Sequence, residues 1–203
     1  MSQKFAAFLL TKVLGWDYVD FLPPEKKVII LGVPHTSIWD LIVSYLFGRA
    51  IGGDIKVIVK GKFFVGPLGW ILRKIGAYPL DEGKGTSMAL GIINTFKKHE
   101  QFHLSLAPEG TRKAIKRWKT GFHMIAKAAD VTIYAGFFDW GRKLISCGEK
   151  FELTDDANAD LIRLQKHYIR MGVKGKIEKD LAYMDIALKE VAEEDAATVA
   201  ANK

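Results

Sequence analysis

His35 and Asp40 have the residue types and the spacing of a proton-abstracting pair, with four residues between them. A β-branched run predicts a strand over 27–33 just before them, and an amphipathic pattern predicts a helix over 37–49 that contains Asp40. A carboxylate one turn away from a histidine can fix the imidazole tautomer and stabilise the imidazolium that forms on proton transfer. We therefore predict a general base here, although Ser37 and Asp40 alone also fit a helix capping box.

A second candidate segment has the sequence PEGTR at 108–112 and follows another predicted strand, at 102–107. Loops at the carboxyl ends of parallel strands line the crevice in which α/β proteins bind their ligands. The proline and glycine favour a turn, while the hydroxyl and the guanidinium that follow Gly110 suit an anion. Taken alone, the segment also fits an ordinary turn, so its functional interpretation depends on its partner segment.

Strands and helices alternate along the chain, which predicts an α/β fold: a single domain with a mostly parallel central sheet flanked by helices. Strands are predicted at 27–33, 55–59, 77–80, 102–107, 131–138 and 143–147. Helices are predicted at 37–49, 67–75, 86–98, 119–129 and 158–171. We divide the chain into an amphipathic helix region at 1–20, a main domain at 21–180 and a helical tail at 181–203.

Composition limits the partners without selecting one. The 203 residues carry a net charge of +7, which favours an anionic partner such as nucleic acid, a phospholipid surface or a phosphorylated substrate. Cys147 is the one cysteine of the sequence, which excludes an intramolecular disulfide and a multi-cysteine zinc site.

Apolar residues recur at helical spacing near the start of the chain, at Phe5, Phe8, Leu9, Val13 and Trp16. The pattern fits a helix that lies in a lipid interface, and it fits equally a terminal helix that packs on the core. We expect no signal peptide, because no small-residue cleavage site follows a strong apolar core. We also expect no membrane-spanning helix, because no stretch reaches about 18 uninterrupted apolar residues.

The ordered set of motifs resembles the lysophosphatidate acyltransferases, also called the 1-acyl-sn-glycerol-3-phosphate acyltransferase or glycerolipid acyltransferase family. The similarity runs from about Val28 to Ala135. The segments that carry it are HTSIWD at 35–40, KGKFF at 60–64, GPLGW at 66–70, GAYPLD at 76–81, PEGTR at 108–112 and WKTG at 118–121. A single H-x4-D pattern is weakly specific, whereas this ordered set is strongly specific.

The resemblance implies transfer of an acyl group from acyl-CoA or acyl-ACP to the hydroxyl of a lysophospholipid-type acceptor, with 1-acyl-glycerol-3-phosphate first. It implies that His35 removes the hydroxyl proton and that Asp40 orients His35. The residues expected at the acceptor site are Glu109, Gly110, Thr111, Arg112, Lys60, Lys84 and Lys119, with Arg112 facing a phosphate. We expect no cofactor and no nucleic-acid partner, and we expect peripheral association with the cytoplasmic face of a membrane that supplies the lipid acceptor.

Two departures from the family pattern affect the acceptor. The family has asparagine before the catalytic histidine, whereas this chain has Pro34. The family also has an arginine that is expected to hold the acceptor phosphate, whereas this chain has Glu82 at that position. Lys84, Lys60 or Arg73 could supply the missing charge. The acceptor could equally lack a phosphate at that point, as a lyso-ornithine lipid does.

Three other interpretations fit parts of the sequence. HEQFH at 99–103 matches the H-E-x-x-H zinc pattern, but the predicted strand at 102–107 makes its two histidines straddle a helix end and a strand. The segment 112–119 combines five cations with a tryptophan, which suits nucleic acid, an anionic membrane or the phosphates of coenzyme A. A lipid-binding protein without catalysis would keep the fold, but it has no use for the His35 and Asp40 pair.

Overall fold

A six-stranded sheet forms the centre of the protein, and a smaller three-stranded sheet adjoins it. The computed structural model describes residues 1–80, 86–113, 115, 117–177 and 184–201. The strands are β1 (Asp17–Tyr18), β2 (Lys27–Leu31), β3 (Ile55–Lys60), β4 (Ala77–Leu80), β5 (Phe102–Leu106), β6 (Thr132–Tyr134), β7 (Phe137–Asp139), β8 (Leu144–Ser146) and β9 (Lys150–Phe151). The helices are α1 (Gln3–Phe8), α2 (Trp39–Ala50), α3 (Gly66–Lys74), α4 (Thr86–Lys98), α5 (Gly121–Ala129), α6 (Ala157–Met171) and α7 (Asp185–Ala201). A π-helical turn at Leu9–Val13 continues α1, and a 3-10 turn at Gly61–Phe63 precedes α3.

The main sheet has the strand order β4-β3-β5-β2-β6-β9, and its strands are parallel except for β9. β2 lies between β5 and β6, with Ile29 opposite Leu104 on one side and Ile133 on the other. A parallel strand that is covered on both faces reads as a continuous apolar run, which is why β2 was recognisable in the sequence. The predicted α/β fold with a mostly parallel sheet is confirmed, and the predicted bounds of β4 and α4 match the structure.

Helices cover both faces of the main sheet. Ile29 and Leu31 of β2 belong to a hydrophobic cluster shared with α4, α5 and α6, whereas Val28 and Ile30 belong to a second cluster shared with α1 and α2. Successive side chains of a strand point to opposite faces, so β2 contributes to both clusters in alternation. This packing fixes the strand ends from which the loops of the candidate site extend.

The single strand predicted at 131–138 is wrong, because the structure divides it into β6 and β7 in two different sheets. Gly136 lies at the break, where an added Cβ would be 2.6 Å from the carbonyl oxygen of Leu31. Glycine permits this close approach of two backbones. β7 then runs beside Val33, which forms an isolated parallel bridge with Phe137. The residues that follow β7 are thereby brought to the carboxyl end of β2.

The N-terminal helical region buries one face and exposes the other. Ala6 and Leu10 are buried in the cluster shared with α2, whereas Phe5, Phe8 and Val13 are exposed. A helix is present as predicted and its buried face packs on the core, while contact of its exposed face with lipid stays a prediction. In the part of the chain that the structure describes, no helix combines the length and the apolarity needed to cross a membrane.

The C-terminal helix α7 packs against α6. Glu190 and Glu194 of α7 form ion pairs with Lys166, and Glu194 also pairs with Arg170. Ala187 of the same helix is buried. A helix therefore occupies most of the predicted tail, while the domain boundaries drawn at 20 and 180 stay predictions.

Candidate active site

Two loops meet at the carboxyl end of the main sheet. His35 follows β2 and Glu109 follows β5, and these strands are adjacent and parallel, with Leu31 opposite Leu106. Parallel neighbours in this register place the residues after each strand at the same edge. The two segments predicted to carry chemistry are therefore neighbours in space, although His35 and Glu109 are 74 positions apart in sequence.

The imidazole of His35 contacts the carboxylate of Asp40. Nδ1 of His35 lies 3.0 Å from Oδ2 of Asp40. The His35 side chain keeps 31% of its surface exposed, whereas the Asp40 side chain keeps 3%. When Nδ1 carries the hydrogen that is donated to Asp40, Nε2 is the proton-accepting nitrogen of the ring. The geometry fits a base and its orienting carboxylate, and the catalytic roles of these two residues stay a prediction.

Asp40 also organises the turn that carries His35. Its Oδ2 accepts hydrogen bonds from the backbone N–H groups of Thr36 at 3.0 Å and Ser37 at 2.9 Å. The hydroxyl oxygen of Ser37 accepts in turn from the N–H of Trp39 at 3.2 Å. Ile38 occupies the N-cap position of α2 and makes no side-chain capping hydrogen bond, so the capping box that Ser37 and Asp40 suggested is not formed as predicted. The carboxylate of Asp40 reaches back to the N–H groups of the turn and contacts His35, so one buried side chain holds both the turn and the imidazole.

Trp140, which no sequence motif indicated, completes the surroundings of Asp40. Its indole Nε1 donates a hydrogen bond of 2.9 Å to Oδ1 of Asp40. Its ring packs edge to face on the buried Trp16, with 4.9 Å between ring centroids. Trp140 directly follows β7, which the bridge to Val33 aligns with the end of β2. A tryptophan just after a predicted strand was the available signal, because the other site segments occupy the same kind of position.

The carboxylate of Glu109 holds the backbone of His35. Both of its oxygens lie 3.0 Å from the backbone nitrogen of His35, which donates to them, and Glu109 is 0% exposed. Nearby, burial and then the negative charge of Glu109 raise the pKa of Tyr168 well above its ordinary value. The geometry gives Glu109 a positioning role toward His35, while the contact with a bound acceptor that was expected of it stays a prediction.

Gly110 forms the tight corner of the second loop, with a φ of +65° that favours glycine. A Cβ added there would lie 3.2 Å from Nζ of Lys119, so Lys119 crosses directly beside the turn. Thr111 is half-buried and Arg112 is exposed. The structure thus brings together Lys119 and the PEGTR turn, which are two parts of the predicted acceptor site.

The other cations expected near the acceptor are placed differently. Lys60 is exposed at the end of β3, which is two strands away from β2 at the same edge of the sheet. The guanidinium of Arg73 on α3 lies 5.3 Å from the ring centroid of Phe64. Lys84 and Glu82 lie outside the described residues. Lys60 and Arg73 therefore belong to the β3 and α3 side of the protein.

The H-E-x-x-H pattern does not form a one-faced helical site. His99 follows the end of α4 and His103 lies on β5, as predicted. A ring nitrogen of His99 lies 2.9 Å from the carbonyl oxygen of Thr95, and one of His103 lies 2.9 Å from that of Glu25. Zinc peptidases need both histidines on one helical face. Within the described ranges, no group of three or more His, Cys, Asp or Glu side chains could hold a metal ion.

The tryptophan of the basic segment 112–119 is buried. Trp118 packs near Tyr168, with 6.0 Å between ring centroids, and is 2% exposed. The neighbouring Arg117 donates a hydrogen bond of 2.6 Å to Asn158 on α6. Stacking of nucleic-acid bases requires an exposed aromatic face. The interpretation of this segment as a base-stacking surface is therefore wrong, because Trp118 contributes to the core.

The acyltransferase family model matches residues 18–136, a range that contains both loops and the strands that carry them. Because this range is more than half of the chain, the chain belongs to the acyltransferase family. It is 30% identical over 116 residues to the 1-acyl-sn-glycerol-3-phosphate acyltransferase of Streptococcus pneumoniae. This match covers 56% of the present chain and 42% of the streptococcal protein, so it spans less than half of that relative.

The fold is also similar to a solved structure, the 1-acyl-sn-glycerophosphate (LPA) acyltransferase PlsC from Thermotoga maritima. The TM-score is 0.56 with 14% sequence identity, over 86% of the present chain and 80% of the other. At this identity the comparison shows a shared fold. Trp140 lies beyond the range matched by the family model, which is why the motifs did not reveal it.

Proposed function

We propose that this protein transfers a fatty acyl group from an acyl thioester, acyl-CoA or acyl-ACP, to the free hydroxyl of a lysophospholipid-type acceptor. The family and the similarity to a 1-acyl-sn-glycerol-3-phosphate acyltransferase support 1-acyl-glycerol-3-phosphate as that acceptor, in phospholipid biosynthesis. The observation that carries the proposal is the 3.0 Å contact between Nδ1 of His35 and Oδ2 of Asp40. This contact lies at the carboxyl ends of the parallel strands, where α/β proteins bind their ligands.

In the proposed reaction, Nε2 of His35 takes the proton of the acceptor hydroxyl as the hydroxyl oxygen bonds to the thioester carbonyl carbon. The carbon–sulfur bond then breaks, and the departing thiolate takes the proton back from the imidazolium. The products are an ester and a free thiol. Asp40 fixes the tautomer of His35 and stabilises the transient imidazolium. The acceptor attacks the donor directly, so no acyl-enzyme intermediate and no cofactor are part of the proposal.

The preorganised turn supports this role. Glu109 holds the backbone nitrogen of His35 and Asp40 holds its ring, so both ends of the residue are fixed before a substrate arrives. Fixed reacting groups lower the entropic part of the barrier, an effect worth on the order of 7 kcal/mol or more when alignment is good. An imidazole clamped in this way and still 31% exposed is suited to meet an incoming hydroxyl.

The test is an acyl-transfer assay on the purified full chain with labelled acyl-CoA and labelled acyl-ACP. We expect His35→Ala to lower kcat by roughly 100-fold or more, the range for loss of a general base. His167→Ala is the matched control, because it removes another imidazole, on α6, that belongs to neither loop of the candidate active site. Transfer at the wild-type rate in His35→Ala would overturn the mechanism, and absence of transfer to any acceptor would overturn the function.

The acceptor is decided by a panel of lysolipids. The glutamate at position 82 motivates a lyso-ornithine lipid arm beside 1-acyl-glycerol-3-phosphate, because a carboxylate repels a phosphate. We expect the highest kcat/KM with 1-acyl-glycerol-3-phosphate. A preference for the acceptor without phosphate would replace that identity and leave the acyl-transfer chemistry intact.

Peripheral membrane association, at the cytoplasmic face, is part of the proposal. Two apolar surfaces support it: the N-terminal apolar face and the α3 apolar face. The N-terminal apolar face consists of the exposed Phe5, Phe8 and Val13. The α3 apolar face consists of the exposed Val65, Leu68, Trp70 and Ile71. Exposed apolar side chains on a chain of net charge +7 suit an anionic lipid surface.

A further inference from the structure

The segment that follows α6 returns to the candidate active site. The backbone nitrogen of Lys176 donates a hydrogen bond of 2.9 Å to the hydroxyl oxygen of Thr36, the residue after His35. Gly175 packs so closely that an added Cβ would lie 2.4 Å from Cγ2 of Thr36. These contacts place a stretch outside the family match directly beside the catalytic turn.

The other side of the same segment is fastened to the end of β7. The carbonyl oxygen of Lys174 accepts from the backbone nitrogen of Trp140 at 2.8 Å, and the backbone nitrogen of Lys174 donates to Oδ1 of Asp139 at 3.3 Å. The segment that carries Lys176 is therefore hydrogen-bonded both to the turn after β2 and to the end of β7. The position of Lys176 beside the site follows from backbone contacts and does not depend on its own flexible side chain.

The ammonium group of Lys176 lies between two tryptophan rings. Nζ is 5.2 Å from the ring centroid of Trp39 and 4.8 Å from that of Trp140. Trp39 immediately precedes Asp40, and Trp140 donates its hydrogen bond to Asp40. The ammonium group therefore lies beside the dyad of His35 and Asp40, between the residue that precedes Asp40 and the residue that hydrogen-bonds to it.

The ammonium group of Lys176 contacts two aromatic rings, whose faces attract a cation without neutralising it. Within the described ranges, no carboxylate forms an ion pair with Lys176. The nearby carboxylate of Asp40 is engaged by the N–H groups of Thr36, Ser37 and Trp140. An ammonium group has three donors, which suits phosphate oxygens.

We propose that Lys176, held between Trp39 and Trp140, binds the phosphate of a substrate beside the dyad. This inference rests on the proposed acyl transfer and names a specificity-determining residue for it. Lys176 supplies this cation from a part of the chain that lies outside the range matched by the family model. Phosphate is carried both by 1-acyl-glycerol-3-phosphate and by coenzyme A, and kinetics separate the two sources.

The first test measures KM and kcat separately for each substrate. We expect Lys176→Ala to raise the KM of one phosphate-bearing substrate about tenfold, with kcat changed less than about threefold. A rise confined to 1-acyl-glycerol-3-phosphate assigns the site to the acceptor, and a rise confined to acyl-CoA assigns it to the donor. In the acceptor case, the KM of monoacylglycerol with the same acyl chain stays unchanged. Lys176→Arg should keep both KM values near wild type.

The control is Lys189→Ala, which removes one lysine charge from the exposed surface of α7. It should leave both KM values unchanged, and equal behaviour of the Lys176 and Lys189 variants would overturn the proposal. A binding arm uses the His35→Ala background and measures equilibrium affinity for 1-acyl-glycerol-3-phosphate and for coenzyme A. Adding Lys176→Ala should weaken one of them about tenfold. This arm decides the inference even if the protein transfers no acyl group.

Discussion

The indole nitrogen of Trp140 donates a hydrogen bond of 2.9 Å to Oδ1 of Asp40, across 100 positions of the sequence. The other oxygen of the same carboxylate contacts Nδ1 of His35 at 3.0 Å. Trp140 therefore fixes the orientation of the carboxylate that orients the histidine. It acts through Asp40, which makes it a positioning residue in the proposed mechanism.

Trp140→Phe removes this hydrogen bond and keeps an aromatic face toward Trp16 and Lys176. A hydrogen bond to a charged group contributes about 1.5–3 kcal/mol, so we expect kcat to fall roughly 10- to 100-fold with little change in KM. Steady-state kinetics over a pH series checks this, because a misoriented Asp40 should also shift the pH profile of kcat. Tyr134→Phe is the matched control, because it removes the hydrogen bond that Tyr134 donates to Glu25, a carboxylate outside the candidate active site. Equal losses in both variants would indicate a general effect on folding.

Glu109→Gln separates positioning from substrate binding. The carboxylate of Glu109 accepts the backbone N–H of His35 with both oxygens, and glutamine offers one acceptor and a competing donor. We expect kcat to fall about tenfold or more while the acceptor KM stays within about twofold. Kinetics with 1-acyl-glycerol-3-phosphate measures both. A large rise in KM at unchanged kcat would instead support direct contact of Glu109 with the acceptor.

Asp139→Asn should weaken the attachment of the segment that carries Lys176. Burial tends to raise the pKa of Asp139, but hydrogen bonds from Arg142 and the backbone of Lys174, with the Arg142 charge, lower the pKa overall. A lowered pKa in the folded state contributes stability above the unfolded pKa, and this is lost as pH falls through the folded pKa. We expect the variant to be less stable at pH 7 by about 1–3 kcal/mol, from lost charged hydrogen bonds.

The difference in stability between wild type and Asp139→Asn should become smaller as the pH falls. From about pH 5 downward, wild type should lose the Asp139 contribution and approach the stability of Asp139→Asn. Urea unfolding followed by circular dichroism at several pH values measures the difference. Asp54→Asn, an exposed carboxylate paired with Lys56, is the control. A constant difference between wild type and Asp139→Asn across the acid range would contradict the expectation.

Cys147 should be inert in the folded protein. The thiol is 0% exposed, and burial raises its pKa to about 12, so the reactive thiolate is scarce near neutral pH. We expect N-ethylmaleimide at pH 7.5 to leave the folded chain unlabelled and active, and to label it stoichiometrically in urea. Mass spectrometry of the intact chain checks both conditions. Rapid labelling with loss of activity would point to an accessible thiol and reopen a covalent mechanism.

The two apolar faces should contribute separately to vesicle binding. The double change Phe5→Ser and Phe8→Ser removes both aromatic rings of the N-terminal apolar face. Trp70→Ser removes the aromatic ring of the α3 apolar face, which is 63% exposed. Inserting a large apolar side chain contributes about 1.5–3 kcal/mol, so each change should weaken binding roughly tenfold or more. Co-sedimentation with anionic vesicles measures it. Val199→Ser on α7 is the control, and unchanged binding in both variants would remove these faces from the proposal.

The elements of the main sheet were predictable because local pattern and tertiary environment agree. The run 28–31 is apolar on both sides, and the structure buries it between helices on both faces. The helix at 86–98 shows its spacing clearly for the same reason. The prediction of one strand at 131–138 was wrong because the chain breaks where Gly136 approaches the backbone of Leu31. A contact between residues so far apart in sequence leaves no local pattern.

The sequence by itself determined the alternation of strands and helices from β2 to α5 and the two turns that carry His35, Asp40 and Glu109. Those features are local, since short-range spacing and turn residues specify them. Only the tertiary structure decided that Trp140 and Lys176 lie beside Asp40, and that Glu109 holds the backbone of His35. Such contacts depend on which strands become neighbours and in what register, and this follows from the burial of both sheet faces by the whole chain.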